Sequence, residues 1–541
     1  MTDALLPKFV TMLKEGYDGT RLKADAIAGL TVAIVALPLS MAIAIASGVG
    51  PDRGLYTAII GGFLVSLFSG SRHQIGGPAG AFIILVAASV ERHGIDGLLL
   101  AVLISGFLLI LTGYLKLGKY IKFIPYPVTV GFTAGIAVII FASQLSELLG
   151  LTLPGKEPGP LVAKLEALWS VHDTFNLSAF GVALMTVLII ALVKQYRPNW
   201  PSLLIAVIAA SLFATALSLP VATIGSRFGG IPSSLPTPAL PTFSMEKLIA
   251  VLPDAVSFTL LGAIESLLSA VVADGMTGRR HRSSMELIGQ GIANIGSAIF
   301  GGICVTGTIA RTATNVRSGA TGPVAGMLHA LFLLLFILVA APLASYIPLA
   351  ALAGVLAVVS WNMIERPAIA ALLRGHRGEA VVLVVTFLFV IFRDLTEGII
   401  VGFALGAVLF IDRMGKNLRV DVESTDEENP VDNRDRETVV YRINGAFFFG
   451  AAASVGSVLD RIAARYRNLI LDCSGISLMD STGANIIEGV VKKAEKSGIT
   501  VYVVGLKPDL RGLLETHEIH EPRVVYAADV DAARELIRAA G

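Results

Sequence analysis

The sequence predicts a polytopic α-helical membrane protein that carries a soluble α/β domain at its C-terminal end. Three observations lead there. Hydrophobic residues make up 54% of the 541 and charged residues 15%, against roughly 25% charged in ordinary soluble proteins. Apolar runs of helix-spanning length recur from Ala24 to Arg413. Hydropathy then collapses, and residues 421–437 (DVESTDEENPVDNRDRE) hold eight acids and two arginines, the pattern of a solvated linker.

Taken in order, residues 1–23 form an N-terminal segment and 24–415 the membrane domain. About fourteen hydrophobic segments are counted, at 24–47, 54–69, 78–90, 96–114, 124–148, 177–195, 201–218, 250–273, 285–300, 308–318, 322–342, 346–363, 378–393 and 396–413. The first ends without a small-residue cleavage site and others follow, so no removable signal peptide is expected. The third and tenth are too short to cross ~30 Å. Each follows a glycine-rich stretch, Gln74-Ile-Gly-Gly-Pro78 and Gly301-Gly-Ile-Cys-Val-Thr-Gly307. Each is also third in a seven-segment half, 24–218 or 250–413. Matched interruptions of this kind point to two inverted repeats with a binding site near the midplane.

Residues 416–437 are the acidic linker, and 438–541 the α/β module. In the module, strand-like TVVYRI, NLILDC and TVYVVG alternate with helical patterns at 451–466, 482–496 and 530–540.

Basic residues set the orientation. An inner N-terminus puts Lys116, Lys119, Lys122, Lys194, Arg197, Arg279, Arg280, Arg282, Arg374, Arg377, Arg413, Lys416 and Arg419 on the inner side, and leaves the loop 219–247 outside. That arrangement obeys the positive-inside rule and makes the C-terminal module cytoplasmic.

The site is read from the same interruptions. Pro78 suits the first turn of a helix, and a facing half-helix begins near Gly307-Thr308. Two opposed helix N-termini concentrate unpaired N–H groups and positive dipole ends, which suits an anion. Arg311 falls in the first turn of the second half-helix.

Glu265 stands alone as a charge in the apolar stretch 256–273. Such a residue costs on the order of 3 kcal/mol in a bilayer helix and marks a functional position by default. Gly262, Glu265 and Ser269 share one helix face. Glu265 therefore either binds a coupling cation, H⁺ or Na⁺, or forms an ion pair with Arg311. Asp274 is expected as an interfacial charge, Gln290 and Asn294 as hydrogen-bonding residues between helices, and His73 and His329 as packing or interfacial residues. Tyr126, between Pro125 and Pro127, reads as a helix entry. No His/Cys/Asp spacing suggests a metal, Cys304 and Cys473 suggest no disulfide, and a net charge of +1 gives no sign of nucleic-acid binding. No nucleophile–base arrangement stands out, so neither an enzyme nor a cofactor is expected.

Four stretches, Gln74-Ile-Gly-Gly-Pro78, Tyr126-Pro-Val-Thr-Val-Gly-Phe132, Glu286-Leu-Ile-Gly-Gln-Gly-Ile-Ala-Asn294 and Thr306-Gly-Thr-Ile-Ala-Arg311, resemble the sulfate permease (SulP) anion transporters. Asp480-Ser-Thr-Gly483, after the strand 469–473, resembles the phosphoacceptor loop of STAS domains. The resemblance implies a uracil-permease-like fold with core and gate, elevator-type alternating access, a homodimer and a cytoplasmic STAS domain open to a partner. It places the substrate between the third and tenth segments, at Gln74, Gly77, Pro78, Ala79, Gly80, Ala81 and Phe82 on one side and Gly307, Thr308, Ile309, Ala310 and Arg311 on the other, with Ser40 as a further donor. It assigns Glu265 and Ser269 to the coupling cation.

The first segment departs from the family. Many sulfate-transporting relatives carry a glutamine and a tyrosine where Pro38-Leu-Ser-Met-Ala-Ile-Ala44 has Leu39 and Ile43. The stretch resembles carriers of carboxylates or bicarbonate at least as well, and selectivity is expected to lie there. Thr482, with Ser481, matches the phosphoacceptor position, while helix capping by Asp480, Ser481 or Thr482 is the competing reading.

The expected function is secondary active transport of a small anion (sulfate, bicarbonate or a C4-dicarboxylate) across a cytoplasmic membrane. The rival readings are an uncoupled exchanger or channel-like member of the same fold, and a membrane-anchored STAS signalling protein.

Overall fold

A computed structural model describes all residues except 1–4, 121–123, 156, 199, 394, 425–436, 451–465 and 541. Lys122, most of the acidic linker and nearly all of the helical pattern at 451–466 lie outside the described residues. The chain divides into two compact units, 1–403 and 404–541.

The first unit opens with α1 (Lys8–Lys14) and α2 (Gly19–Ala46), the latter capped by Asp18, whose side chain accepts from Arg21 N. Then come α3 (Pro51–Tyr56), a π turn at Thr57–Gly61 and α4 (Gly62–Phe68). Strand β1 is only Gly76–Gly77, and a 3₁₀ turn at Gly80–Phe82 leads into α5 (Ile83–Tyr114). Helix α5 joins the expected third and fourth segments, with a break at Gly94, whose φ of 68° favours a residue without Cβ. From Gly80 to this break the half-helix is roughly 20 Å long, short of a crossing.

Helix α6 (Tyr126–Leu149) starts between the two prolines, with Pro127 in its first turn. It is followed by α7 (Leu161–Ser170), α8 (Leu177–Tyr196), α9 (Ser202–Ala216) and α10 (Ile224–Phe228). The second half holds α11 (Met245–Thr277), α12 (Ser283–Ile299), β2 (Thr306–Gly307) and the half-helix α13 (Ile309–Arg317). It continues through α14 (Val324–Ala344), α15 (Leu349–Met363), α16 (Arg366–Arg374), α17 (Arg377–Phe392) and α18 (Leu395–Lys416), within which the boundary between the units falls. Eight helical stretches among the described residues are long and apolar enough to span a membrane.

Two packing groups emerge within the first unit. Helices α2, α4, α5, α11, α12, α13 and α14 pack on one another, while α6, α8, α9, α15, α16 and α17 form the other set. Small residues bring backbones close: a Cβ on Gly106 would lie 2.7 Å from Gly291 O, and one on Gly291 would lie 2.5 Å from Gly106 O.

The second unit is a six-stranded sheet with helices on both faces. Strands β4 (Thr438–Phe447), β5 (Asn468–Asp472), β7 (Thr500–Val504) and β8 (Val525–Ala527) run parallel, and β6 (Ile476–Met479) extends the pairing of β4. The alternation in β5 and β7 explains both layers. Leu469, Leu471, Val501 and Val503 face α19 (Ser481–Lys496) and α20 (Pro508–Thr516), while Ile470, Tyr502 and Val504 face α21 (Val530–Ala539). The sheet begins earlier than the expected boundary at 438. Residues Arg419–Ser424, assigned to the linker from their charge, form β3, antiparallel to β4. The reason is the valine alternation at 420 and 422, which the surrounding acids conceal in the sequence.

Candidate functional site

The two interrupted stretches meet as an antiparallel pair, Gly76 opposite Gly307 and Gly77 opposite Thr306. The glycines leave room for two side chains to lie across the crossing: a Cβ on Gly307 would lie 1.7 Å from Gln74 Nε2, and one on Gly77 would lie 2.5 Å from Arg311 Nη1. One face of α13 and its N-cap holds the chain that leads into β1. Thr308 donates from N and from Oγ1 to Ile75 O (2.9 and 3.1 Å). Ile75 N donates to Thr312 Oγ1 (3.0 Å), and Asn315 Nδ2 to His73 O (2.9 Å). On the other side, Asn294 brackets Val305, accepting from its N and donating to its O at 2.9 Å each. Asn294 thus ties α12 to the approach to β2.

Beyond the strands the chain turns into two helix starts that no side chain caps. Ala79 precedes the 3₁₀ turn and α5, and Thr308 precedes α13 with its hydroxyl turned away to Ile75 O. Their first-turn N–H groups are left for another acceptor. Pro78 departs from its expected place in the first helical turn. It lies two residues ahead of the 3₁₀ turn, because the pairing of Gly76 and Gly77 keeps this backbone extended.

Arg311 lies against this backbone with 1% of its surface exposed. Its Nη2 donates to Pro78 O at 3.3 Å, while Nε and Nη1 have no partner. Glu265 is 7% exposed, and no described residue makes a hydrogen bond or ion pair with it; the ion pair with Arg311 is absent. The helix turn around it is fastened on either side. Thr306 Oγ1 donates to Gly262 O (3.4 Å), Gln74 Nε2 to Ser266 O (3.1 Å) and Ser269 Oγ to Thr312 Oγ1 (3.1 Å). Ser269, grouped with Glu265 on one face, is therefore bonded to α13. Ser40 is fully buried on α2 with its hydroxyl unpartnered, and buried Phe82 packs at 6.1 Å on Phe258.

Buried carboxylates that sequence reasoning passed over also shape this unit. Glu286, inside the quoted Glu286–Asn294 motif, accepts from Ser69, Gln74 and Gln290. The polar stripe Glu286, Gln290, Asn294 at intervals of four on an apolar helix was the signal for it. Asp25 accepts from Tyr17, Thr321 and Gly322 and ties α2 to the loop after α13. Asp274, expected as an interfacial charge, accepts from His281 N at 3.0 Å.

A cavity of about 610 Å³ lies elsewhere, between α2, α9 and α14. Its walls, among them Leu37, Pro38, Met41, Val207 and Phe336, offer an anion almost nothing polar.

In the second unit Asp480 is the N-cap of α19, its carboxylate accepting from Thr482 N and Gly483 N, both at 3.0 Å. Ser481 and Thr482 are exposed in the first turn. Asp472 is held below the usual carboxylate range: burial pushes it up, but hydrogen bonds from Ser474 and Arg442 outweigh that.

The family model described as the sulfate permease family matches residues 22–386, and that of the STAS domain matches 429–527. A Bacillus subtilis protein named "Putative sulfate transporter YvdB" is 40% identical over 504 residues, covering 92% of this chain and 94% of its own. The bicarbonate transporter BicA of Picosynechococcus is 30% identical, covering 91% and 90%. The solved structure of SLC26A9 superposes with a TM-score of 0.85 over 99% of this chain and 93% of its own, at 18% identity, and so shares the fold.

Proposed function

The chain belongs to the sulfate permease family, and from that premise we propose that it is a secondary active transporter that binds a small anion where β1 meets β2. It is a multi-pass membrane protein of a family of transporters, not enzymes. Relatives named for sulfate and for bicarbonate support anion transport. One observation carries the proposed site: two uncapped helix N-termini open beside Arg311, whose buried guanidinium has two nitrogens without partners. Fixed amide dipoles and an unneutralised cation, both withdrawn from water, are what an anion lacking its hydration shell requires. Backbone amides at Ala79–Ala81 and at Ile309 and Ala310 hold the anion, the Thr308 N–H being engaged by Ile75 O, with Arg311 supplying positive potential and Phe82 and Ser40 lining the approach.

Glu265 is the coupling residue in this reading. A buried carboxylate with no protein partner is tolerable when it takes up H⁺ or Na⁺, and the anion and the cation then favour each other's binding. Movement of the first packing group against the second exposes the site to each side in turn. The N-terminus and the STAS domain are cytoplasmic, the protein works as a homodimer in a cytoplasmic membrane, and Thr482 or Ser481 offers a regulatory position on the STAS domain.

The test is uptake into liposomes of radiolabelled sulfate, bicarbonate, fumarate and succinate, with and without pH and Na⁺ gradients. Gradient-driven accumulation of one of them is the expected result. Downhill flux alone would mark an uncoupled exchanger or channel, and no flux a signalling protein. Arg311→Ala should weaken binding of the carried anion by more than about tenfold, the scale of one lost charge-assisted hydrogen bond. Unchanged affinity would remove Arg311 from the site.

A further inference from the structure

Glu286 has no part in the mechanism above, yet it is wholly buried on α12. It forms no ion pair among the described residues. Instead three neutral donors converge on it: Gln74 Nε2 (2.7 Å) and Gln290 Nε2 (3.0 Å) at Oε1, and Ser69 Oγ (2.8 Å) at Oε2. An ionised carboxylate only accepts, so it satisfies all three; a glutamine could do so as well, with its oxygen toward the two amides and its N–H toward the Ser69 hydroxyl, whereas a leucine offers no acceptor at all.

The Gln74 amide is shared. Its nitrogen also donates to Ser266 O at 3.1 Å, one residue from Glu265. Both N–H bonds are thereby used. The same nitrogen occupies the space above Gly307, where a Cβ would sit 1.7 Å away. Gln74 thus touches three things at once: α12, the α11 turn that carries Glu265, and β2.

We infer that Glu286 is a positioning residue for the transport site, holding the Gln74 amide as a brace between the strand crossing and the Glu265 turn. Gln74 is then a strut and not a ligand of the anion. The inference rests on the reading that the crossing holds the anion. Without the carboxylate, a buried donor loses its acceptor, an imbalance that changes an equilibrium about tenfold or more. A slack brace lets the two helix starts shift, and amides aimed a fraction of an ångström off hold the anion less well.

The experiment uses the full chain in liposomes with labelled bicarbonate and sulfate, comparing Glu286→Leu, Gln74→Leu, the double variant and Ser69→Ala. Each of the first two should raise KM about tenfold while lowering the maximal rate much less. The double variant should be no worse than the worse single one, because Glu286 acts through Gln74. Ser69→Ala removes a donor on the other oxygen and should lower thermal stability without moving KM. A wild-type KM in Glu286→Leu, or effects that multiply in the double variant, overturns the inference. If Glu286→Leu does not fold, Gln74→Leu decides alone, since its KM must still rise. Thermal unfolding of the four-member cycle measures the contact between positions 74 and 286 whichever anion is carried. Anion affinity untouched by Arg311→Ala would instead sink the underlying site reading.

Discussion

Two acids on successive helices, Glu265 on α11 and Glu286 on α12, are buried to a similar degree and live in opposite surroundings. Glu286 is surrounded by donors from three directions, while Glu265 has none among the described residues. A buried carboxylate with its lone pairs occupied is a fixed part of the structure, and proton or cation uptake would disrupt it. A bare buried carboxylate has every reason to take up a cation. The hydrogen bonds around the two residues thus separate roles that their shared residue type cannot. The same bonds link them, because Gln74 reaches Glu286 with one hydrogen and the carbonyl next to Glu265 with the other.

The harshest way to break this contrast is Gly307→Ala. Its Cβ would displace the Gln74 amide from above the strand crossing, so transport should fall by more than about tenfold, the effect of overpacking a tightly filled site. Full uptake at normal expression would show that the crossing is slacker than its geometry.

Glu265→Gln sharpens the contrast next. Gradient-driven accumulation should be lost while anion exchange across the liposome membrane survives; unchanged driven uptake would take coupling away from this residue. A smaller shift is expected for Ser269→Ala, which removes the bond to Thr312 and keeps the carboxylate. The KM of the coupling cation should rise by about threefold to tenfold, as for one neutral hydrogen bond, and an unaltered value would confine Ser269 to packing.

The second unit, a separate compact body, supplies the mildest tests. Asp480→Ala should cost the STAS domain about 1 kcal/mol by loss of the α19 cap, measured by thermal unfolding. If Thr482 were the true cap, Thr482→Ala would cost as much, whereas here it should cost little. Asp472 has a folded-state pKa below its unfolded value. Its contribution to stability is therefore complete above the ordinary carboxylate pKa and lost as pH falls through the lowered folded value. Asp472→Asn should flatten the acid limb of the stability curve.

Much of this was legible in the sequence because it depends on neighbours along the chain. Apolar runs of spanning length, the glycine interruptions at 74–78 and 301–307, and the isolated charge at Glu265 are local patterns. They gave the helical membrane core, its two half-helices and the candidate acid. Local reading misleads where charge conceals alternation, as at Val420 and Val422 of β3, and at Pro78, which suits a helix start in the sequence although the pairing of the preceding glycines with β2 keeps this backbone extended.

Which polar groups answer one another depends on the fold. Gln74 and Glu286 are 212 positions apart, and Thr308 and Ile75 are 233. No periodicity encodes such a meeting, since it depends on how two chain halves cross. Composition along one helix is enough to show that a costly carboxylate lies in an apolar segment, and order along the chain places it and an arginine near two broken helices. Folding decided that Glu265 stays bare, Glu286 is satisfied and Arg311 keeps two free nitrogens, because a hydrogen bond exists only where donor and acceptor are brought within about 3 Å.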